Sequence, residues 1–146
     1  MKHLILIFLA VLVTSVAGIS QSKGKPSKQN NTSHRIVFQM VSKDTADHNA
    51  MVRQLFNIQK LSPNTKLEVV CHGPGLSFIH KDKSLVLTKL AELASAKVDF
   101  VACEFTMQQK NVKKEQLLDQ CRTVPGGILE IVDKQDHGWR YIKAGY

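Results

Sequence analysis

The sequence predicts an α/β fold in which a mainly parallel sheet carries helices on both of its faces. Short runs rich in β-branched and aromatic residues recur along the chain, and the stretches between them place apolar residues at three- and four-residue steps. Clusters of Gly, Pro, Asn and Ser separate the two kinds of segment. Strands that alternate with helices of this length are typical of parallel sheets, because a parallel neighbour requires a crossover connection.

The first strand–helix unit begins the domain. Residues 35–41 form a β-rich run, and Asp44 or Thr45 can cap a helix that continues to about Leu61. The apolar residues of this helix recur on one side, as expected for a helix that packs against a sheet. Ser62-Pro63-Asn64 then ends the helix.

The second unit has the same organisation. Residues 66–72 are predicted as a strand that ends at Gly73-Pro74-Gly75. A helix over about residues 84–96 follows, with its leucines on one side. The next apolar run, residues 98–103, is predicted as a buried strand.

In the last part of the chain, the spacing of the apolar residues has to be assigned either to a strand or to a helix. Residues 122–124 form a short predicted strand, and Pro125-Gly126-Gly127 a turn. The apolar run after this turn could form a strand, but its helical spacing and a C-cap glycine at Gly138 favour a helix that ends at His137. Residues 139–143 alternate as the final strand.

The amino-terminal segment is predicted to direct export rather than to belong to the fold. A short basic start precedes an apolar stretch, and Ser15-Val16-Ala17 supplies the small residues that signal peptidase needs. We expect a cleaved signal over residues 1–17, because the apolar stretch is shorter than the roughly 20 residues that span a bilayer. An uncleaved anchor is the alternative. Residues 18–34 are expected to form a flexible polar tether, and the mature protein to be periplasmic or secreted without stable membrane insertion.

The remaining residues, 35–146, amount to one domain. The chain has a formal net charge of +8, of which Lys2 and the three lysines of the tether account for four and leave +4 for the domain. The lysines of the domain are scattered and are not interleaved with aromatic residues. We therefore do not expect nucleic-acid binding.

Cys103 is the first candidate functional residue. It ends a predicted buried strand and precedes a helix-compatible stretch, which puts a thiol at the carboxyl edge of the sheet, where open α/β sheets build their sites. Exposed amides at a helix N-terminus favour the thiolate. The alternative is a small buried cysteine that serves only packing.

The other two cysteines have different expected roles. Cys71 ends the preceding predicted strand, so Cys71 and Cys103 lie within reach of a disulfide or a resolving exchange if the strands are neighbours and their α-carbons are closer than about 7 Å. Cys71 is thus the candidate resolving thiol. Cys121 is expected on a helix, in the core.

The turn that follows Cys71 is a candidate binding element. The glycines of this turn let backbone amides converge, and the segment after it can open a helix whose N-terminus attracts anions. Pro74 removes one of these amides, and a simple turn is the alternative reading. His72, Gly73 and Gly75 are the candidate ligand-binding residues.

Other chemistries find no support in the sequence. His72 and His80 match no metal-ligand spacing, so no metal and no other cofactor is expected. A nucleophile elbow, a phosphate-binding fingerprint and a clustered acidic pair are all missing from the sequence, which leaves hydrolase, kinase and glycosidase functions without support. His48 is expected at the surface, and Trp139 and Tyr141 are expected to pack against a helix or a neighbouring subunit.

Three segments together resemble the DsrE/DsrF-like (YchN-like) proteins of bacterial sulfur metabolism, particularly their small exported members. The segments are residues 69–75, residues 100–107 and residues 135–142. The resemblance implies a three-layer α/β/α sandwich with a mainly parallel five-stranded sheet, and a homo-oligomer such as a trimer or hexamer. It also implies that Cys103 occupies the place where active relatives carry sulfur as a persulfide, with Thr106 as a further candidate ligand-binding residue.

Two functional hypotheses follow. In the first, the protein is an exported thiol protein that carries or senses sulfur at Cys103 and exchanges it with a donor or acceptor protein, so that catalysis is at most a transfer step. In the second, it is a non-catalytic oligomeric module that binds a small ligand or a protein, and Cys103 is structural. Accessibility of Cys103 separates the two. If Phe105 is exposed in the monomer, a subunit interface beside Cys103 is the natural explanation.

Overall fold

The computed structural model describes residues 33–145. The predicted signal segment, residues 1–17, lies outside this range, and so does nearly all of the predicted tether, residues 18–34. Export and cleavage therefore stay predictions from the sequence.

The fold is built on a five-stranded, all-parallel sheet with the strand order β4-β3-β2-β1-β5. The strands are β1 (Arg35–Met40), β2 (Lys66–Cys71), β3 (Val98–Cys103), β4 (Arg122–Val124) and β5 (Arg140–Ala144). The α-helices of the described range are α1 (Thr45–Leu61), α2 (Leu87–Ser95), α3 (Glu104–Gln109) and α4 (Gly127–Asp136). The predicted fold class is confirmed. No helix within residues 33–145 has the length and apolar character needed to cross a membrane.

The strand order puts helices on opposite faces of the sheet. From β1 to β4 each new strand is added on the same side, so right-handed crossovers place α1 and α2 on one face. The chain then returns past β1 to β5, and this reversal places α4 on the other face. Because all strands are parallel, their carboxyl ends meet at one edge.

Two apolar clusters fill the space between the sheet and its helices. The larger cluster lies on the α1 and α2 face and includes Phe38, Val69 and Phe100 of the strands with Leu55 and Leu90 of the helices. The smaller cluster lies under α4 and consists of Val37, Val70, Val101, Val124 and Ile131, with Trp139 packed against it. Because strand residues alternate between faces, these clusters show to which face each neighbouring side chain belongs.

Three connections differ from the sequence prediction. α2 begins at Leu87 instead of near Ser84, because Ser84 still belongs to a turn in which its N–H donates to the carbonyl of His80. The turn expected at Gly73-Pro74-Gly75 is the first part of a 3₁₀ helix, Gly73–Ile79. Cys121 lies in a turn before β4 and not on a helix, although it is buried in the core as expected.

One surface prediction needs correction, and of the two predicted aromatic contacts the described chain shows that of Trp139. His48 is buried, because its ring packs against Phe78 with a centroid distance of 5.0 Å and its Nε2 lies 2.9 Å from the carbonyl oxygen of Ser42. Trp139 packs against the cluster under α4, as expected, but Tyr141 on the edge strand β5 remains 40% exposed.

Candidate functional site

Cys103 lies at the carboxyl end of β3, where the strand passes directly into α3. The residue is the N-cap of α3 and keeps an extended backbone, with φ −78° and ψ 117°. Only 6% of the residue is exposed. The predicted position at the edge of the sheet is therefore correct, and access to the sulfur is narrow.

The surroundings of the Cys103 sulfur favour the thiolate. Burial raises the pKa of this thiol, but hydrogen bonds from the N–H groups of Gly127, Thr106 and Phe105 and from the Thr106 hydroxyl outweigh burial, so that the pKa is lowered. Gly127 begins α4, whereas Phe105 and Thr106 lie in the first turn of α3. The Phe105 N–H is shared, because it also donates to the carbonyl of Pro125 at 3.3 Å. Donors from two helix starts thus converge on one sulfur, an arrangement that stabilises negative charge.

Thr106 joins the ends of β2 and β3. The N–H of Gly73 donates to Thr106 Oγ1 at 2.9 Å, and the hydroxyl hydrogen of Thr106 is donated to Cys103. Thr106 itself is only 5% exposed. Gly73 has φ +54°, a left-handed conformation that favours glycine and turns this N–H toward α3. A chain of hydrogen bonds therefore runs from the turn after β2 to the thiol.

The glycines of that turn shape the wall of the site. The N–H of Gly75 donates to the carbonyl of His72 at 3.0 Å. A Cβ at position 75 would lie 2.1 Å from the carbonyl oxygen of Met40, so only glycine lets the 3₁₀ segment pass the end of β1. The amides of Gly73 and Gly75 are thus both engaged within the chain. Their expected binding of an anion stays a prediction without support from these contacts.

His72 lies beside the thiol site and is held from the β1 side. Its Nε2 is 2.8 Å from Gln39 Nε2. The Tyr141 hydroxyl donates to Gln39 Oε1, which orients the Gln39 amide nitrogen as the donor to His72. Burial lowers the pKa of His72. The ring is therefore assigned as neutral, with Nε2 accepting and the proton on Nδ1.

Gly127 brings α4 against both of these residues. A Cβ at this position would lie 3.1 Å from Cys103 Cβ, 3.1 Å from Val70 Cγ1 and 3.4 Å from His72 Cβ. The missing side chain allows the Gly127 N–H to reach the sulfur. Sequence reasoning missed this residue, because Pro125-Gly126-Gly127 reads as a turn; a glycine at the start of a helix after a strand was the available signal.

The structure does not bring Cys71 and Cys103 together. Their strands are neighbours, with Cys71 paired to Ala102. However, Cys71 points into the core on the α1 and α2 face, whereas the alternation of β3 puts Cys103 on the α4 face with Val101. Burial, and to a smaller extent Cys121, raises the pKa of Cys71 well above its ordinary value. A direct resolving exchange with Cys103 has no geometric support.

Cys121 has a polar neighbour that the sequence did not suggest. Lys114 Nζ lies 3.1 Å from Cys121 Sγ and also donates to the backbone carbonyl of Cys121. Cys71, Cys103 and Cys121 are all free thiols. Cys121, a second buried free thiol with a polar neighbour, therefore serves as the internal control when the reactivity of Cys103 is measured.

A buried ionic cluster fixes α4 to the sheet. Glu68 of β2 is fully buried and pairs with Lys134 of α4 and with Arg122 of β4. Arg122 also contacts Glu130 at 2.6 Å and Asp99 at 2.8 Å. Burial raises the pKa of Glu68 to about 7, although the two cations lower it. The position of α4, and with it the Gly127 donor, depends on this cluster, which the sequence analysis missed.

Fold and site together define a class of protein: a parallel α/β domain with a hydrogen-bonded thiol at the carboxyl edge of its sheet. Within residues 33–145, no group of three or more His, Cys, Asp or Glu side chains is arranged to hold a metal ion. The chemistry that these residues offer is that of a thiolate with directed N–H and O–H donors.

The chain belongs to the DsrE/DsrF-like family, whose family model matches residues 20–144. Among solved structures, the protein of unknown function MTH1491 from Methanobacterium thermoautotrophicum is 26% identical and superposes with a TM-score of 0.72, covering 75% of this chain and 98% of that one. The protein of unknown function BT1422 from Bacteroides thetaiotaomicron shares the fold at 10% identity and a TM-score of 0.62, covering 82% of this chain and 99% of that one. No curated protein matches the chain.

These comparisons confirm the resemblance and the fold. At the level of the family, they support a thiol or sulfur-relay-related function.

Proposed function

We propose that this protein is an exported sulfur carrier that holds sulfur as a persulfide on Cys103. The observation that carries the proposal is the set of donors around the Cys103 sulfur, from Gly127, Thr106 and Phe105. A thiolate is the nucleophile in sulfur exchange, and donors that stabilise it also suit the negatively charged persulfide.

The proposed step conserves atoms and electrons. The Cys103 thiolate attacks a terminal sulfur of a polysulfide dianion, a new S–S bond forms on Cys103, and the S–S bond of the polysulfide breaks. The shortened polysulfide anion leaves with the electron pair. Transfer to an acceptor thiolate repeats this exchange in reverse and regenerates the Cys103 thiolate. Sulfur transfer is the only reaction that the proposal assigns to the protein.

We include assembly of a homo-oligomer in the proposal, as a trimer or hexamer. Apolar side chains beside the thiol site are exposed: Phe105 at 62%, Leu129 at 66% and Ile128 at 54%. Such a patch next to a functional site is typical of a protein–protein interface. Analytical ultracentrifugation tests this part: Leu129→Glu is expected to dissociate the oligomer, whereas Leu85→Glu, at a residue exposed to 79%, leaves it intact.

One observation favours the second candidate function, a binding module with a structural Cys103. Cys103 is exposed to only 6% in the monomer, which restricts the approach of a sulfur donor. If small reagents do not reach the Cys103 thiol, the hydrogen bonds around its sulfur serve only to stabilise the loops of the site.

Intact-mass spectrometry after incubation with polysulfide distinguishes the two functions. The sulfur-carrier function predicts that the wild-type chain gains one or more sulfur atoms, and that Cys103→Ser gains none. Cys71→Ser and Cys121→Ser are matched controls, because each removes another buried thiol, and both are expected to gain sulfur like the wild type. A wild-type chain that takes up no sulfur contradicts the carrier function and favours the binding module.

A further inference from the structure

A cavity lies along the 3₁₀ segment Gly73–Ile79, and Cys103 is not among the residues that line it. Its volume is about 360 Å³, within the range of cavities that bind small molecules. The loop after β1, the 3₁₀ segment and the loop after α3 form its walls. It therefore opens at the carboxyl edge of the sheet, where parallel α/β folds bind ligands.

Three lysines, one from each of three separate connections, line this cavity. They are Lys43 after β1, Lys83 before α2 and Lys110 after α3. Within residues 33–145 none of the three takes part in an ion pair, and none of the lining residues in that range is acidic. Asp82, next to Lys83, lies nearby and is the carboxylate that reduces the positive charge there. Three ammonium groups without partners favour an anionic ligand.

His80 adds a buried polar group to the same wall. It is only 4% exposed, and its Nδ1 accepts a hydrogen bond from the N–H of Asp82 at 3.1 Å. Burial, and then Lys83, lowers the pKa of His80, so the ring is neutral and carries its proton on Nε2. Within the described chain Nε2 has no hydrogen-bond partner. The Nε2–H is therefore left to donate to water or to a ligand in the cavity.

The rest of the wall is apolar. Leu76 is 2% exposed and Val112 is 9% exposed, and both line the cavity together with Pro74. A ligand that fits this wall has an apolar body as well as a charged group. The volume of the cavity is many times the roughly 30 Å³ that one water molecule occupies in the liquid, so a bare inorganic anion would leave most of it unfilled.

We propose that this cavity is a second binding site, for a small organic dianion such as a phosphate monoester. The dianionic group lies among Lys43, Lys83 and Lys110 and accepts the Nε2–H of His80, and the organic part packs against Leu76 and Val112. This site is independent of the proposed sulfur chemistry, since it shares none of its residues with the Cys103 site.

Isothermal titration calorimetry with the full chain tests the proposal, with phenyl phosphate as the probe at constant ionic strength in chloride. We expect saturable one-to-one binding. The monoanion benzoate should bind at least about tenfold more weakly, since a lost charge-assisted contact corresponds to roughly this factor. Inorganic phosphate should also bind at least about tenfold more weakly, because it keeps the charge but loses the apolar contacts with Leu76 and Val112, and equal affinity for it would overturn the role of the apolar wall. Equal affinity for benzoate would overturn the assignment to a dianion. Absence of saturable phenyl phosphate binding would overturn the site itself.

Matched variants locate the binding. The double variant Lys83→Gln with Lys110→Gln is expected to weaken phenyl phosphate binding by about thirtyfold or more. The control Lys60→Gln removes an exposed lysine from the last turn of α1, at the opposite edge of the sheet, and is expected to change the affinity less than about twofold. An equal loss in the control would overturn the assignment to this cavity.

A measurement on the wild-type protein tests the role of His80 without a substitution. The ¹⁵N resonance of His80 Nε2 is expected to shift on saturation with phenyl phosphate, while that of His137, whose Nδ1 lies 2.6 Å from the carbonyl oxygen of Asp133, stays in place. An unchanged His80 resonance at saturation contradicts the role of this histidine.

Discussion

Thr106→Val tests the reason why Cys103 favours the thiolate. The substitution keeps the shape of a buried side chain and removes the one hydroxyl among the donors to the sulfur. Hydrogen bonds to charged groups contribute about 1.5–3 kcal/mol, and the lower figure suits a large, diffuse sulfur anion. A loss of about 1.5 kcal/mol lowers the fraction of thiolate about tenfold at any pH below the pKa.

The expected rates follow from this magnitude. A thiolate of higher pKa is also the stronger nucleophile, and this effect recovers a little under half of the loss on a logarithmic scale. Alkylation of Cys103 by iodoacetamide should therefore be about three- to fourfold slower in Thr106→Val at low pH, and about threefold faster on the high-pH plateau. The midpoint of the pH–rate profile moves upward. A change in access alone would scale the whole profile without moving its midpoint.

Thr106→Ser is the matched control, because it keeps the hydroxyl and loses only a methyl group. Its pH–rate midpoint should stay with the wild type. Both variants and their reference protein carry Cys71→Ser and Cys121→Ser, so that only Cys103 reacts. An unchanged midpoint in Thr106→Val, or an equal upward shift in Thr106→Ser, would refute the role that we assign to the hydroxyl.

Three further predictions concern the glycines and the buried ionic cluster. Gly127→Ala places a methyl group 3.1 Å from Cys103 Cβ and Val70 Cγ1, and should lower the free energy of unfolding in urea by about 1–2 kcal/mol and raise the pKa of Cys103. The control Gly126→Ala meets Leu129 no closer than 3.7 Å and should change this free energy by less than about 0.5 kcal/mol. Gly75→Ala should cost more than about 3 kcal/mol because of the backbone of Met40, whereas Gly73→Ala, with open space but φ +54°, should cost about 1 kcal/mol; equal losses would contradict this reading. The pKa of Glu68 is raised to about 7, above its ordinary 4.5. The contribution of Glu68 to the free energy of unfolding is therefore complete below pH 4.5 and decreases by at most about 3 kcal/mol as the pH rises to 7. Glu68→Gln should remove this decrease, and an unchanged pH dependence of stability in this variant would count against the buried carboxyl.

The order of strands and helices was predictable because it depends on local patterns. α1 ends at Leu61 and β4 covers Arg122–Val124, as the apolar periods and the breaking residues indicated. Errors of a few residues occurred where a turn and a first helical turn have similar composition, as before α2. Cys103 was predicted at its strand end for the same reason: a strand boundary is a local property.

The partners within the site were not predictable, because they come from distant parts of the chain. The contact between Gly127 and Cys103 exists because α4 returns across the sheet, and neither segment encodes this return by itself. Glu68 offered a signal, since a charged residue inside an apolar strand must find partners, but its pairing with Arg122 and Lys134 depends on the strand order.

The separation of Cys71 from Cys103 shows how the alternation of side chains decides chemistry. Both cysteines end neighbouring strands, which suggested an exchange between them. The register pairs Cys71 with Ala102, one residue before Cys103, so the two thiols lie on opposite faces. A shift of one residue between strands, invisible in either strand alone, thus removes the expected contact.

Peptide mapping shows directly whether Cys103 is the thiol that carries sulfur. The folded wild-type chain is treated with polysulfide, alkylated, digested and analysed by mass spectrometry for the position of the added sulfur. We expect the added sulfur on the peptide that contains Cys103, and none on the peptides with Cys71 and Cys121. Added sulfur on Cys121, or on no cysteine at all, would contradict this expectation.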